Sequence, residues 1–166
     1  MISPKFHEGP SQRSMKVVDA RDVVAATRFA ELAAACGDTA CREALALAAF
    51  ELAENIVKYG LANSDPHAGT ISISVEGNVT RFCATNSVSA ADDALTVIDI
   101  ADRLALPGSD AAVLYRERLS ELFLQPALPR ARLGLLRLAF EGRFRLWASF
   151  EAPLLQIVAE RTCPGH

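Results

Sequence analysis

The spacing of apolar residues predicts two β-hairpins, one near the middle of the chain and one near its end. Residues 70–76 (TISISVE) and 79–85 carry an apolar residue at nearly every second position, with Gly77-Asn78 between them. Both turn residues tolerate positive φ, which a two-residue hairpin turn requires. Residues 143–159 alternate in the same way around a second turn. The residues predicted to face the core are Ile71, Ile73, Val75, Phe144, Leu146, Ala148, Phe150, Leu155, Ile157 and Ala159.

Helical periodicity accounts for most of the remaining chain. The longest predicted helix carries apolar residues at spacings of three and four, ending at Tyr59. Thr39 is predicted to cap this helix and Ser109 a later one, because a hydroxyl can accept backbone N–H groups. The later helix is predicted to pack through Ala112, Tyr115, Leu119 and Leu122. The predicted helices cover residues 20–36, 39–59, 89–104, 109–122 and 131–141, and a short extended segment covers residues 5–8.

The order of these elements predicts the fold class. Hairpins form antiparallel sheets, and helices with one apolar face must cover such a sheet. We therefore expect an α/β (α+β) two-layer sandwich, with a mostly antiparallel sheet covered on one face by helices, as a single domain over residues 1–166. Trp147 is out of phase with Phe144 and Leu146. It is predicted on the opposite sheet face, available to a partner protein or to a second copy in a homodimer.

Composition excludes several classes of function. The chain has 166 residues, of which 51% are hydrophobic and 22% charged, with a net charge of −3. A chain without surplus positive charge is not expected to bind nucleic acid. Residues 1–15 lack the apolar run of a signal peptide, and no segment is long enough to span a membrane. We therefore expect a cytoplasmic protein, and the cysteines at 36, 41, 83 and 163 are expected to be reduced thiols.

One polar stripe on the longest helix is the candidate site. The segment FELAENIVKYG, residues 50–60, places Glu51, Asn55 and Lys58 in a narrow sector beside the apolar face. A carboxylate, an amide and an ammonium group arranged in this way suit a nucleotide with Mg²⁺. Spacing alone favours a simpler interpretation, in which Glu51 and Asn55 are a surface pair and Glu54 and Lys58 form an ion pair.

The same segment resembles the N-box of the GHKL (histidine-kinase-like ATPase) superfamily, in which a glutamate precedes a Mg²⁺-binding asparagine by four residues. Three further segments make the resemblance more specific: the hairpin that closes at Asn86, LYRERL at 114–119 and LGLLRLAFEGRFRL at 133–146. They resemble SiaB-type regulatory protein kinases, which are similar to anti-sigma-factor kinases.

The resemblance implies a GHKL (Bergerat) fold that binds ATP and Mg²⁺ and phosphorylates a serine or threonine of a small STAS-like protein. It implies that Asn55 is a Mg²⁺ ligand and that Glu51 is the catalytic base or positions a water. It also implies that Lys58 approaches phosphate and that Asn86 faces the nucleotide.

The sequence departs from the superfamily pattern at two places. The segment ATNSVSA lacks the aspartate and glycines of the DxGxG box, and PRARLGLL at 129–136 replaces a glycine-rich turn. Gly134 survives there, while Arg130 and Arg132 occupy glycine positions. Arginine side chains could contact phosphate, but their Cβ atoms could also obstruct it. Two functions therefore stay open: a protein kinase, and a pseudokinase scaffold that binds a partner without phosphoryl transfer.

Overall fold

A computed structural model describes residues 12–34, 38–59, 69–88, 91–126 and 131–163. In these ranges the chain is α+β, and one antiparallel sheet has the strand order β1-β2-β3-β5-β4. The expected two-layer arrangement is confirmed, with the two predicted hairpins in one sheet. The elements are β1 (Arg13–Lys16), α1 (Ala20–Ala34), α2 (Thr39–Tyr59), β2 (Thr70–Glu76), β3 (Val79–Ser87), α3 (Ala91–Ala105), α4 (Ala111–Leu124), α5 (Ala131–Phe140), β4 (Arg145–Glu151) and β5 (Leu154–Thr162).

The inner face of the sheet forms half of the core. Phe82 lies at its centre, opposite Ala159 in the β3–β5 register, and is fully buried. Its ring meets that of Phe144 edge-on, with centroids 6.0 Å apart. The alternation in the sequence predicted this face correctly, since burying each large apolar side chain stabilises the fold by about 1.5–3 kcal/mol. Its buried strand residues include Ile71, Ile73, Ala84, Leu146, Leu155 and Ile157.

The β2–β3 connection is the predicted two-residue turn, because Glu76 pairs with Val79 on either side of Gly77 and Asn78. Gly77 has φ +58°, whereas the described non-glycine residues adopt positive φ only at Arg143. A positive φ at the first turn position alone is the pattern of a turn with glycine first. The carbonyl of Asn78 accepts a hydrogen bond from the backbone N–H of Cys163 at 2.7 Å. Asn78 therefore connects the turn to the end of β5.

Helix α2 lies across the inner face of the sheet. Leu45, Ala49, Leu52 and Ile56 are buried as predicted, while Tyr59 is half-buried. The predicted cap was wrong. The carboxylate of Asp38 accepts the backbone N–H of Cys41 at 2.9 Å, so Asp38 and not Thr39 caps the helix.

Helix α4 packs against α5 and differs from its prediction in two respects. Asp110 caps it in place of Ser109, accepting the backbone N–H groups of Ala112 at 2.8 Å and Val113 at 3.4 Å. The predicted packing face was wrong in part: Tyr115 packs against the core as predicted, whereas Leu119 is exposed and Arg118 is buried. An arginine can bury its long aliphatic stem and still keep its charge paired. Here Nη1 of Arg118 lies 2.7 Å from a carboxylate oxygen of Glu121.

The expectation of reduced cysteines fails for one pair. Cys41 near the start of α2 and Cys163 just after β5 form a disulfide, with Cα atoms 5.9 Å apart, and both are fully buried. Cys83 is the free cysteine of the described residues. Disulfides are typical of oxidising compartments. The argument that placed the chain in the cytoplasm through its cysteines therefore no longer holds.

The outer face of the sheet carries Trp147, as its position in the alternation predicted. Trp147 pairs with Val158 of β5 and is half-buried outside the helix-covered core. The extended segment predicted at residues 5–8 lies outside the described residues. Within the described ranges, the helices are all too short or too polar to cross a bilayer.

Candidate functional site

Asn55 and Asn86, which are far apart in the sequence, line the same cavity. Asn55 lies in the last turns of α2 and is half-buried, and Asn86 lies near the end of β3 and is buried. Helix α2 crosses the sheet where β3 ends, so the two amide side chains reach one space from two elements. The sequence predicted both residues for one nucleotide site, and the structure brings them together.

Other residues of this cavity were not predicted as site residues. Tyr59, expected to end the core stripe of α2, lines the cavity instead. Asp93 in the first turn of α3 adds a carboxylate, and Thr96 one turn later adds a hydroxyl. Asp93 follows Asn86 by seven residues and lies in the helix after β3, and this order is the signal that could have indicated it. The apolar walls consist of Val88, Val97, Leu135, Leu155 and Ile157.

The cavity is small. Its volume is about 80 Å³, whereas pockets for drug-sized ligands usually measure ~300–1,000 Å³. Two amides, a carboxylate and apolar walls fit the chemistry of a nucleotide base, but the volume fits only part of a nucleotide.

Glu51, the candidate base, forms an ion pair with Arg137 of α5. It is 8% exposed, and its Oε1 accepts a hydrogen bond from Nη1 of Arg137 at 3.0 Å. Arg137 also donates from Nε to Glu141 at 2.8 Å. Arg137 thus connects two carboxylates, one on α2 and one at the end of α5. The described residues that line the cavity with Asn55 do not include Glu51.

Gly134 lies against the other oxygen of Glu51. A Cβ atom at Gly134 would lie 2.5 Å from Oε2 and 3.4 Å from Cδ of this glutamate. Gly134 is the fourth residue of α5 and is buried. In this structure the missing side chain lets α5 approach α2 at the position of Glu51.

The structure adds less about the other predicted site residues, which are Lys58, Arg132 and Arg130. Nζ of Lys58 lies 2.7 Å from a carboxylate oxygen of Glu54, which confirms the ion pair of the simpler interpretation. The surface pair of Glu51 and Asn55 in that interpretation is wrong, because Glu51 is buried. Arg132 falls in the first turn of α5, but its side chain lies outside the described residues. Arg130 lies outside them altogether.

Burial raises the pKa of Glu51 above its ordinary value of 4.5, and the hydrogen bond and charge of Arg137 only partly oppose this effect. Removing a carboxylate from water disfavours its charged form. A raised pKa is a property of many general bases, and it is also expected of a carboxylate buried between two helices.

We expect Glu51→Gln to change how the free energy of unfolding depends on pH. Because the folded pKa is raised, the folded protein holds this proton to higher pH than the unfolded chain does. Such a group stabilises the fold below its unfolded pKa, and the contribution is lost as the pH rises through the folded pKa. Wild type should therefore lose stability relative to Glu51→Gln as the pH rises above the ordinary glutamate pKa of 4.5. Urea unfolding at a series of pH values measures this.

A Glu43→Gln variant provides the control for that experiment. Glu43 is an exposed glutamate on the same helix, so this variant corrects for the loss of one negative charge. If the stability difference between wild type and Glu51→Gln stayed constant with pH after this correction, the raised pKa would be contradicted.

Comparison of the chain with protein-family models, with curated proteins and with solved structures found no match. In the described part of the chain, no three or more His, Cys, Asp or Glu side chains cluster as a metal site. A Mg²⁺ ion held through Asn55 would therefore depend mainly on phosphate and water oxygens, which is common for this ion.

Proposed function

We propose that this chain is a regulatory ATP–Mg²⁺-binding protein of the GHKL type, similar to SiaB, that acts on a small STAS-like partner. The observation that carries the proposal is the shared cavity of Asn55 and Asn86. The resemblance assigns both residues to the nucleotide, and both line one cavity although they belong to different elements, α2 and β3.

The residues of the cavity suggest a division of roles. Asn55 is the Mg²⁺ ligand through its amide oxygen. Asn86 and Asp93 offer an amide and a carboxylate to the hydrogen-bonding edge of the base. Leu135 and Ile157 contact the flat faces of the base from opposite layers of the fold. When bound, ATP supplies the phosphoryl group and Mg²⁺ neutralises its charge.

The geometry favours a pseudokinase scaffold over a protein kinase. A general base must lie within hydrogen-bonding reach of the hydroxyl that it deprotonates. Glu51 instead binds Arg137 through one oxygen and packs against Gly134 through the other. A kinase would have to break this ion pair during each catalytic cycle. We therefore propose nucleotide-dependent partner binding as the primary activity, with Ser/Thr kinase activity as the second candidate.

Thermal unfolding with ATP and Mg²⁺ tests the proposed nucleotide site. A ligand that binds only the folded protein raises its Tm as the ligand concentration increases. We expect this rise for wild type and its loss in Asn55→Ala, whose Tm without nucleotide should stay close to that of wild type. Asn78→Ala is the matched control, because Asn78 is an exposed asparagine in the β2–β3 turn. An equal response of Asn55→Ala and wild type would reject the site.

Formation of ADP from ATP separates the two candidate activities, because a kinase leaves ADP whether the phosphoryl group goes to a protein hydroxyl or to water. The scaffold predicts nucleotide binding without turnover in wild type. The kinase predicts turnover that Glu51→Gln abolishes. Arg137→Ala releases Glu51 from its ion pair, so turnover that appears only in this variant would show that the ion pair blocks catalysis.

A further inference from the structure

Helix α4 has a second apolar surface that faces away from the rest of the protein. Its inner side is formed by Leu114, Tyr115 and Arg118, which pack towards α5. On the other side, Leu124 is 78% exposed and Val113 is 40% exposed. A helix that is apolar on both sides is usually covered on both sides.

The described residues that line a shallow groove on this side all belong to α4. They are Val113, Arg116, Glu117, Ser120, Glu121 and Leu124. At ~100° per residue they form one stripe opposite the face that meets α5, about 16 Å long. Successive residues at positions i, i+3, i+4 and i+7 form the four-sided holes that accept a side chain from a neighbouring helix. The small side chain of Ser120 deepens the centre of the groove.

The order of residues in the stripe is self-complementary. When a second α4 helix runs antiparallel across the first, with the two-fold axis between positions 118 and 119, Val113 lies opposite Leu124. The same register sets Arg116 opposite Glu121 and Glu117 opposite Ser120. Apolar residues then meet at both ends, and opposite charges meet between them. The symmetry makes each contact occur twice.

We propose that α4 is a homodimer interface, in which the stripe of one copy pairs antiparallel with that of a second copy. Charge complementarity favours a second copy as the occupant, because each charged position of the stripe finds an opposite charge or a small polar residue. Phe123 is 86% exposed and flanks the stripe at the end where Leu124 meets Val113, which enlarges the apolar contact. A single pair of short helices buries less than the ~1,200 Å² of standard complexes, so the dimer is expected to be weak and concentration-dependent.

Sedimentation velocity on the full chain, from low micromolar to millimolar concentration, tests this interface. Wild type should shift from monomer to dimer. Leu124→Ser and Arg116→Glu should each raise the dimer Kd at least about tenfold, because each change affects both ends of the interface. Leu95→Ser on α3 (56% exposed) and Arg28→Glu on α1 are the matched controls and should leave Kd unchanged.

A mixing experiment tests the register. Arg116→Glu and Glu121→Arg proteins should each dimerise poorly alone, because like charges then face each other. An equimolar mixture should dimerise nearly as well as wild type, since the heterodimer has one native and one reversed charge pair. If Glu121→Arg does not fold because Arg118 no longer pairs with Glu121, the Leu124→Ser and Arg116→Glu results still test the interface. A wild type that stays monomeric, a dimer insensitive to both substitutions, or a mixture of folded variants that fails to associate would overturn the proposal.

Discussion

Replacing Cys41 and Cys163 together by alanine is expected to lower the free energy of unfolding by about 2–5 kcal/mol. The disulfide joins residues separated by 122 positions, so in the unfolded chain it closes a long loop. The chain-entropy account assigns ~4.7 kcal/mol to a loop of about 100 residues, and this contribution is lost when the bond is removed. The expected fall in Tm is roughly 5–20 °C for a domain of this size. Urea unfolding and calorimetry measure the two quantities.

Reductant provides the decisive comparison for the disulfide. Unfolding wild type with dithiothreitol present should reproduce the loss of stability, whereas the double variant should be unaffected by it. Cys83→Ala is the matched control, because Cys83 is half-buried and outside the disulfide. If wild type had the same stability with and without reductant, the two cysteines would be buried thiols and the bond would be absent in solution.

Gly134→Ala is expected to destabilise wild type by about 1–3 kcal/mol. The new methyl group would lie 2.5 Å from Oε2 of Glu51. The carboxylate would have to move, although Arg137 holds its other oxygen at 3.0 Å. The same substitution should stabilise a Glu51→Ala variant by up to about 1 kcal/mol, because alanine favours the helix more than glycine does. Urea unfolding of the four proteins gives the coupling energy between the two positions.

Gly134→Ala is expected to destabilise wild type but to stabilise the Glu51→Ala variant. This change of sign distinguishes a contact with Glu51 from other reasons for a glycine at position 134. Gly108→Ala is not a suitable control, because Gly108 has φ +80° and any side chain there is strained. The Glu51→Ala background is the matched control, because there Gly134→Ala adds helix propensity without the contact to the Glu51 carboxylate. Equal effects of Gly134→Ala in wild type and in Glu51→Ala would show that Glu51 does not fill the space beside α5.

The sequence predicted the four hairpin strands of the sheet because their signal is local, but it did not predict β1 (Arg13–Lys16). Alternating apolar residues in a strand indicate which side chains face the core, and this pattern does not depend on how the other elements are arranged. Caps were predicted less well. Asp38 and Asp110 each lie one residue from the residue that was chosen, and an aspartate caps as well as a serine or threonine. In both cases the sequence contained two adequate capping residues, and only the backbone decided between them.

The candidate site was predicted in part. The combination of Asn55 and Asn86 came from the resemblance, and the structure places both in one cavity. The Glu54–Lys58 ion pair came from spacing alone, since residues four apart on a helix are neighbours. The roles proposed for Glu51 and Gly134 in the nucleotide site stay predictions, while the structure adds a direct contact between them. That contact joins two helices that are 80 or more positions apart, beyond any local pattern.

By itself, the sequence determined the five helices, the two hairpins and the inner face of the sheet, because these depend on periodicities of two and 3.6 residues within short segments. It did not indicate β1 or the face through which α4 packs. The tertiary structure decided which distant residues meet. It brought Cys41 to Cys163, Arg137 to Glu51 and Asn86 to Asn55. Such contacts depend on how helices cross a sheet and how strands are ordered in it. Side-chain spacing along one element carries no information about either.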